Sequence, residues 1–190
     1  MGASSSRSSS ASAAPDPPAR KVLFCAAAGA ASMSRAVVNR LILGEYHRAL
    51  PAGSVSGGGG WLLSRSGRLR MLDLGDHFQL WGNFLTEDID VAVFVCDAAR
   101  AGPEHVGQME ERVREFLAAD AFPAGMVVAE AALEAADPAE SSHTWSSEAR
   151  LRDWRALSER VGLVVRLNCV SGGGFDVLLH TLQGAQGHGA

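Results

Sequence analysis

A doubly wound α/β domain with a mostly parallel sheet is the fold class this sequence predicts, and three observations predict it. Short, continuous apolar runs recur, as expected of strands buried on both faces. Between them lie segments of 10–16 residues with apolar side chains at helical spacing. Loops rich in small or polar residues separate the two kinds of segment, and this alternation is the signature of strand–helix–strand units.

Taken in order, residues 1–20 are Ser, Ala and Pro with almost no large apolar side chain, so they cannot offset the entropy of ordering and read as a disordered tail. That tail lacks the apolar core of a signal peptide. The domain opens at Lys21 with the run Val22-Leu23-Phe24-Cys25-Ala26, a first strand. A small-residue loop, Ala27 to Ser32, leads into a helix with Val37, Val38, Leu41 and Ile42 on one face and Gly44 as its stop. Gly57 to Gly60 form a flexible tract. Trp61 to Ser64, a turn at Arg65-Ser66-Gly67, and Arg68 to Leu72 predict a β-hairpin.

Val91 to Cys96 is another buried strand, ending at Asp97, and a helix opened by Pro103 carries Val106, Met109, Val113, Phe116 and Leu117. Met126-Val127-Val128-Ala129 is the next strand, and Ala136 to Thr144 a polar loop. Leu151, Trp154, Leu157 and Val161 mark an amphipathic helix. Leu163 to Leu167 form the last strand, and Phe175, Leu178, Leu179 and Leu182 a closing helix, with 184–190 a flexible tail.

Composition narrows the function. A chain of 190 residues supports one well-filled core. A net charge of −4 with no basic stripe argues against a nucleic-acid partner. Cys25, Cys96 and Cys169 each sit in an apolar stretch without metal spacing, so they read as reduced core residues. No apolar run is long enough to span a membrane, and the expected location is cytoplasmic.

The order of elements and several short words resemble the ADP-ribosylation-factor-like small GTPases from about Lys21 to Gln183. Lys21-Val22-Leu23-Phe24 opens the first strand as in that family, and Asn39 to Glu45 closes the first helix as it does there. Leu50-Pro51-Ala52 falls at the Ile-Pro-Thr of switch I, and Leu72-Asp73-Leu74-Gly75 at Trp-Asp-Val-Gly-Gly-Gln. Leu80-Trp81 matches switch II, and Val93-Phe94-Val95-Cys96-Asp97 resembles the Phe-Val-Val-Asp strand. Cys169-Val170-Ser171-Gly172 lies at the segment that touches guanine. The resemblance implies a P-loop GTPase-like fold over residues 21–183. It also implies a vestigial nucleotide site at Gly29, Ser32, Ser34, Arg35, Asp73, Gly75 and Ser171.

The departures fall on the chemistry. A P-loop reads G-x-x-x-x-G-K-[ST], with backbone N–H groups and the Lys on the phosphates and the hydroxyl on Mg²⁺. Here the segment is Ala26-Ala27-Ala28-Gly29-Ala30-Ala31-Ser32-Met33-Ser34, with one glycine, no lysine, and a length that reads up to two residues beyond the pattern. Arg35 is the only nearby substitute cation, and its fork is shaped differently from an ammonium. The switch I threonine is Ala52 and the water-positioning Gln is His77, both counted as vestigial catalytic positions. The base-reading Asn-Lys-x-Asp is replaced by Glu130-Ala131-Ala132-Leu133, with Glu134 the nearest acid to the final position. Asp73, Gly75 and Asp97 also have a plain structural reading as turn and strand-end residues. Asp73, Asp76 and His77 read as a solvated turn rather than a metal cluster, and Ser171 to Gly174 as either an anion cradle or a loose loop.

The expectation is a non-catalytic pseudo-GTPase that needs no cofactor and serves as a protein-interaction module, a subunit or adaptor of a larger assembly. The alternative is a divergent GTPase that binds GTP and Mg²⁺ through Arg35 or backbone contacts and acts as a switch in trafficking or in ciliary or microtubule-based processes. An unrelated doubly wound domain is the third reading. Partner binding is expected at the hairpin between the switches and at switch II, through Trp61, Leu63, Phe78 and Trp81, with Trp81 equally readable as a core residue. Met1-Gly2-Ala3-Ser4-Ser5-Ser6 fits the N-myristoylation pattern, and one acyl chain on Gly2 would give weak, reversible membrane contact.

Overall fold

A computed structural model describes residues 18–46, 61–75, 89–98, 102, 104–116, 125–133 and 147–184. In chain order the elements are β1 (Arg20–Ala26), α1 (Ala31–Leu43), β2 (Leu62–Leu63), β3 (Leu69–Asp73), β4 (Val91–Asp97), α2 (Glu104–Phe116), β5 (Gly125–Ala132), α3 (Ser147–Leu157), β6 (Val161–Asn168) and α4 (Phe175–Gln183). The strands form one six-stranded sheet in the order β2-β3-β1-β4-β5-β6. Among the described strands only the β2–β3 pair is antiparallel.

The sheet is buried on both faces because successive side chains alternate. Val22, Phe24, Val91, Val93, Val95, Val127 and Ala129 pack with Val37, Val38 and Leu41 of α1 and with Leu178 and Leu182 of α4. Leu23, Cys25, Ala92, Phe94, Met126 and Val128 face the other way, onto Val106 and Met109 of α2 and Trp154 of α3. The continuous apolar runs of the central strands therefore serve two cores. None of the described helices is long and apolar enough to cross a membrane.

Local chemistry sets the ends. α1 stops at Gly44, which is left-handed at φ 83° and donates its N–H to the Arg40 carbonyl. β1 begins at Arg20, one residue inside the stretch assigned above to the tail. The Arg20 Nη1 donates to the Leu182 carbonyl at 2.9 Å, capping the C-terminus of α4. The 61–72 hairpin forms as expected, closed by Gly67 at φ 71°.

Two boundaries differ from the sequence reading. Val161 is the first residue of β6 and not the last of the preceding helix, which ends at Leu157. Ser158 accepts the turn between them, taking the Val161 N–H at its carbonyl. β5 runs on to Ala132, three residues past the predicted Ala129. Glu130, Ala131 and Ala132 pair with Arg166, Leu167 and Asn168 of β6, so hydrogen bonding on the far side extends the strand.

Candidate functional site

In open α/β sheets the ligand crevice lies beyond the carboxyl ends of the strands, where the strand order reverses. That point is here the end of β1, with β3 on one side and β4 on the other. An open cleft of about 290 Å³ occupies it, lined by Ala27, Ala28, Gly29, Ala30, Cys96, Asp97 and His105.

The register of the β1–α1 turn is set by one hydrogen bond. The Ser34 hydroxyl donates to Asp73 Oδ1 at 2.8 Å, linking α1 to the end of β3. In a P-loop domain the loop hydroxyl and the strand-end aspartate hold the same metal ion. Ser34 thus stands at the [ST] position, and the eight-residue pattern falls on Ala27 to Ser34 with no added residues. The length suggested by sequence alone is corrected accordingly. It also puts Met33 where the lysine belongs and Ala27 and Ser32 where the glycines belong.

Gly29 is left-handed at φ 78°, and a Cβ added there would meet nothing within 4 Å, so its freedom serves the turn and not packing. α1 starts at Ala31, without a side-chain cap, so only Ala27 to Ala30 remain as loop. Two of those N–H groups are spent internally: Ala27 donates to the Val95 carbonyl and Ala30 to that of Ala27. Among the described residues the cleft lining carries the carboxylate of Asp97 and no Lys or Arg, whereas a working site supplies a cation to the phosphates.

Arg35 does not reach toward the cleft. Its Nε donates to Asp73 Oδ2 at 3.0 Å, and Asp73 is 4% exposed. The Gly75 N–H, on a backbone at φ 55°, donates to Asp73 Oδ1 at 3.1 Å. The carboxylate therefore accepts three hydrogen bonds from the protein itself. A Mg²⁺ ion demands near-octahedral oxygen ligands and keeps several waters. Asp73, already bonded to a guanidinium, does not fit that group.

The segment expected from sequence to stand at the base-reading position packs within the fold. The Glu130 side chain faces α3, where Oε1 accepts from Arg150 Nη2 at 2.6 Å and from Trp154 Nε1 at 3.2 Å. Ala131 is fully buried in the opposite core. The Cys169–Gly174 loop satisfies its own polar groups. Asn168 Oδ1 accepts from the N–H groups of Val170 and Ser171, and the Ser171 hydroxyl accepts from Gly173 N–H. Arg40 lies beneath it, donating to the carbonyls of Cys169 at 2.6 Å and Val170 at 3.0 Å and stacking on Phe175. A Cβ on Gly172 would run into the Arg40 guanidinium, and one on Gly174 into the Arg166 carbonyl. These glycines are there for close packing, which favours the plain loop over the anion cradle.

Of the residues assigned from sequence, the structure brings together Ser34, Arg35, Asp73 and Gly75, places Gly29 at the cleft, and leaves Ser171 in its own turn. Ser32 lies in the first turn of α1. Trp61 is half-buried against the α2–α3 core, with the Arg70 guanidinium 5.3 Å from its ring centre. Leu63 is 57% exposed on the edge strand. Gly2, Ala52, His77, Phe78 and Trp81 lie outside the described residues. The Arg35–Asp73 pair and the Glu130–Arg150–Trp154 cluster are not visible in the sequence, because each joins elements that only the strand order makes neighbours. Burial raises all three thiols: Cys25 and Cys96 to about 12 and Cys169 to about 11. They are inert core groups. Among the described residues no His, Cys, Asp or Glu group is arranged to hold a metal ion.

No family model and no curated protein matches the sequence. Among solved structures, the chain is similar to one from the chloroplast translocon components atToc33 and psToc159, GTPases for whose activity dimerization is important. The TM-score is 0.55 at 15% identity, over 91% of this chain and 86% of that one. The likeness, together with the strand order, shows a P-loop GTPase-like α/β fold.

Proposed function

We propose that this domain is a pseudo-GTPase: a GTPase-like fold of the ADP-ribosylation-factor-like type that serves as a non-catalytic platform for protein partners. The observation that carries the reading is the Ser34–Asp73 hydrogen bond. By setting the register it puts Met33 at the phosphate-binding lysine, so the cation cannot be recovered by shifting the loop. Each lost charge-assisted contact costs about 1.5–3 kcal/mol. The lysine, the two missing glycines and the base-reading aspartate together weaken binding by several orders of magnitude, at about 1.4 kcal/mol per tenfold.

The divergent-GTPase alternative needs Arg35 or backbone contacts to hold the phosphates; the pairing of Arg35 with Asp73 argues against the first, and the internal bonds of the Ala27 and Ala30 N–H groups weigh against the second. The partner surface suited to this reading is the β2–β3 hairpin, where Leu63 is exposed beside the Trp61–Arg70 stack. A cytoplasmic multi-subunit assembly is the setting that fits it, with weak membrane contact where Gly2 is acylated. Titration with a fluorescent GTP analogue in Mg²⁺ tests the proposal. Affinity no tighter than about millimolar, near −4 kcal/mol, is expected, and Mg²⁺-dependent micromolar affinity overturns it.

A further inference from the structure

Asp73 is a buried carboxylate at the end of β3, and every donor to it comes from the chain: the Ser34 hydroxyl, the Gly75 N–H and the Arg35 guanidinium. Two of these donors are consecutive residues in the first half of α1, and the third is two residues beyond Asp73 itself. The Gly75 carbonyl in turn accepts the Ala26 N–H at 3.0 Å, so the turn after β3 is tied to the end of β1. Ser34 is fully buried, whereas the Arg35 side chain is 40% exposed and reaches in from the surface. The arrangement places one positive charge on one buried carboxylate and hydroxyl pair.

We propose that Arg35 is a resident cation: it stands where a P-loop domain binds its divalent metal, ties α1 to the end of β3 without nucleotide, and conceals a latent divalent-cation site made by Asp73 and Ser34. The inference deepens the pseudo-GTPase reading and rests on the same register. The physical grounds are those of charge balance. A buried carboxylate left without its cation is strongly destabilising. The guanidinium satisfies it by a single directional Nε donation at 3.0 Å, with no need for the waters and phosphate oxygens that complete a Mg²⁺ shell. With Arg35 present, a dication at Asp73 meets a positive charge within a few ångströms. Without Arg35, a carboxylate and a hydroxyl remain, both hard oxygen ligands suited to Mg²⁺ or Mn²⁺. The domain consequently holds one arrangement of the β1, β3 and α1 ends, whatever the metal and nucleotide supply.

The test uses the full chain without nucleotide, so that its failure is distinct from that of the pseudo-GTPase reading, which fails on Mg²⁺-dependent GTP binding. Melting is followed for the natural protein, Arg35→Ala and the Arg35→Ala/Asp73→Asn double variant, in chelator and in millimolar Mg²⁺ or Mn²⁺ at matched ionic strength. Mn²⁺ uptake is read separately from loss of the free-ion paramagnetic resonance signal. The natural protein is expected to show no divalent response and no stoichiometric Mn²⁺. Arg35→Ala is expected to melt roughly 5 °C lower in chelator, to regain at least half of that in Mg²⁺ or Mn²⁺, and to take up one Mn²⁺. The double variant is expected to take up none. Where Arg35→Ala does not fold, Arg35→Gln, which keeps a long side chain without the charge, gives the same reading. Stoichiometric Mn²⁺ on the natural protein overturns the proposal. So does a neutral variant that melts lower yet takes up no Mn²⁺, since Arg35 is then an ordinary ion pair.

Discussion

Glu130→Ala probes what the side chain at the start of the Glu130–Leu133 segment does in the fold. Glu130 sits on β5 at 8% side-chain exposure, and its Oε1 accepts from Arg150 and from the fully buried Trp154. Removing the carboxylate leaves the indole N–H buried without its acceptor, which costs about 1–3 kcal/mol. Arg150 is 21% exposed and turns partly to water, so the ion pair adds no more than about 1 kcal/mol. The total is about 1–4 kcal/mol, or a fall in Tm of about 2–16 °C for a chain of this size. Glu130→Gln keeps an acceptor for the indole and loses only the charge, with an expected cost of about 1 kcal/mol. Urea unfolding followed by far-UV circular dichroism, with Trp fluorescence as a second probe, measures both. A cost under about 1 kcal/mol for the alanine variant, or equal costs for the two, refutes the argument that the indole hydrogen bond dominates.

Gly174→Ala forces a left-handed backbone at φ 80° and drives a Cβ into the Arg166 carbonyl, so it is expected to cost at least about 2 kcal/mol in a thermal melt. The three thiols are raised by burial above their usual 9.0, to about 12, 12 and 11. The unfolded chain therefore releases these protons first. Their contribution to stability is complete below about pH 9 and is lost as the pH rises toward the folded values. Stability measured by urea should fall steadily above that point, and less steeply in Cys25→Ala; an equal slope in that variant contradicts the assignment. Leu63→Asp is expected to leave the Tm within about 1–2 °C, since an exposed position away from special features changes stability by about ±0.5 kcal/mol, and to abolish capture of partners from native extract. Trp61→Ala, by contrast, is expected to lower the Tm as well, because the ring packs against the core. Unchanged capture by both variants removes the hairpin from the partner surface.

The strands and helices were legible where their chemistry is local. The apolar runs around Phe24 and Phe94 read as two-sided strands and are buried as such, the run around Val165 is the edge strand β6, and Gly44 and Gly67 mark turns by their left-handed conformation. Boundaries failed where a neighbour decides them. Ala129 closes the apolar run, yet β5 continues because β6 offers hydrogen bonds as far as Asn168. Val161 fits the α3 spacing, but its N–H turns to the Ser158 carbonyl and its chain pairs with β5. That the Ala26–Ser34 segment carries no lysine was visible residue by residue. The destination of Arg35 was not, because pairing it with Asp73 requires knowing that β3 lies beside β1 and that α1 begins above both.

The central claim is that the cleft at the end of β1 holds no guanine nucleotide. Denaturing protein purified without added nucleotide, and separating what is released by anion-exchange chromatography, tests it most directly. The account predicts far less than one GTP or GDP per chain. About one guanine nucleotide per chain contradicts it, and would mean that backbone contacts from Ala27 to Ala30 alone suffice to hold the phosphates.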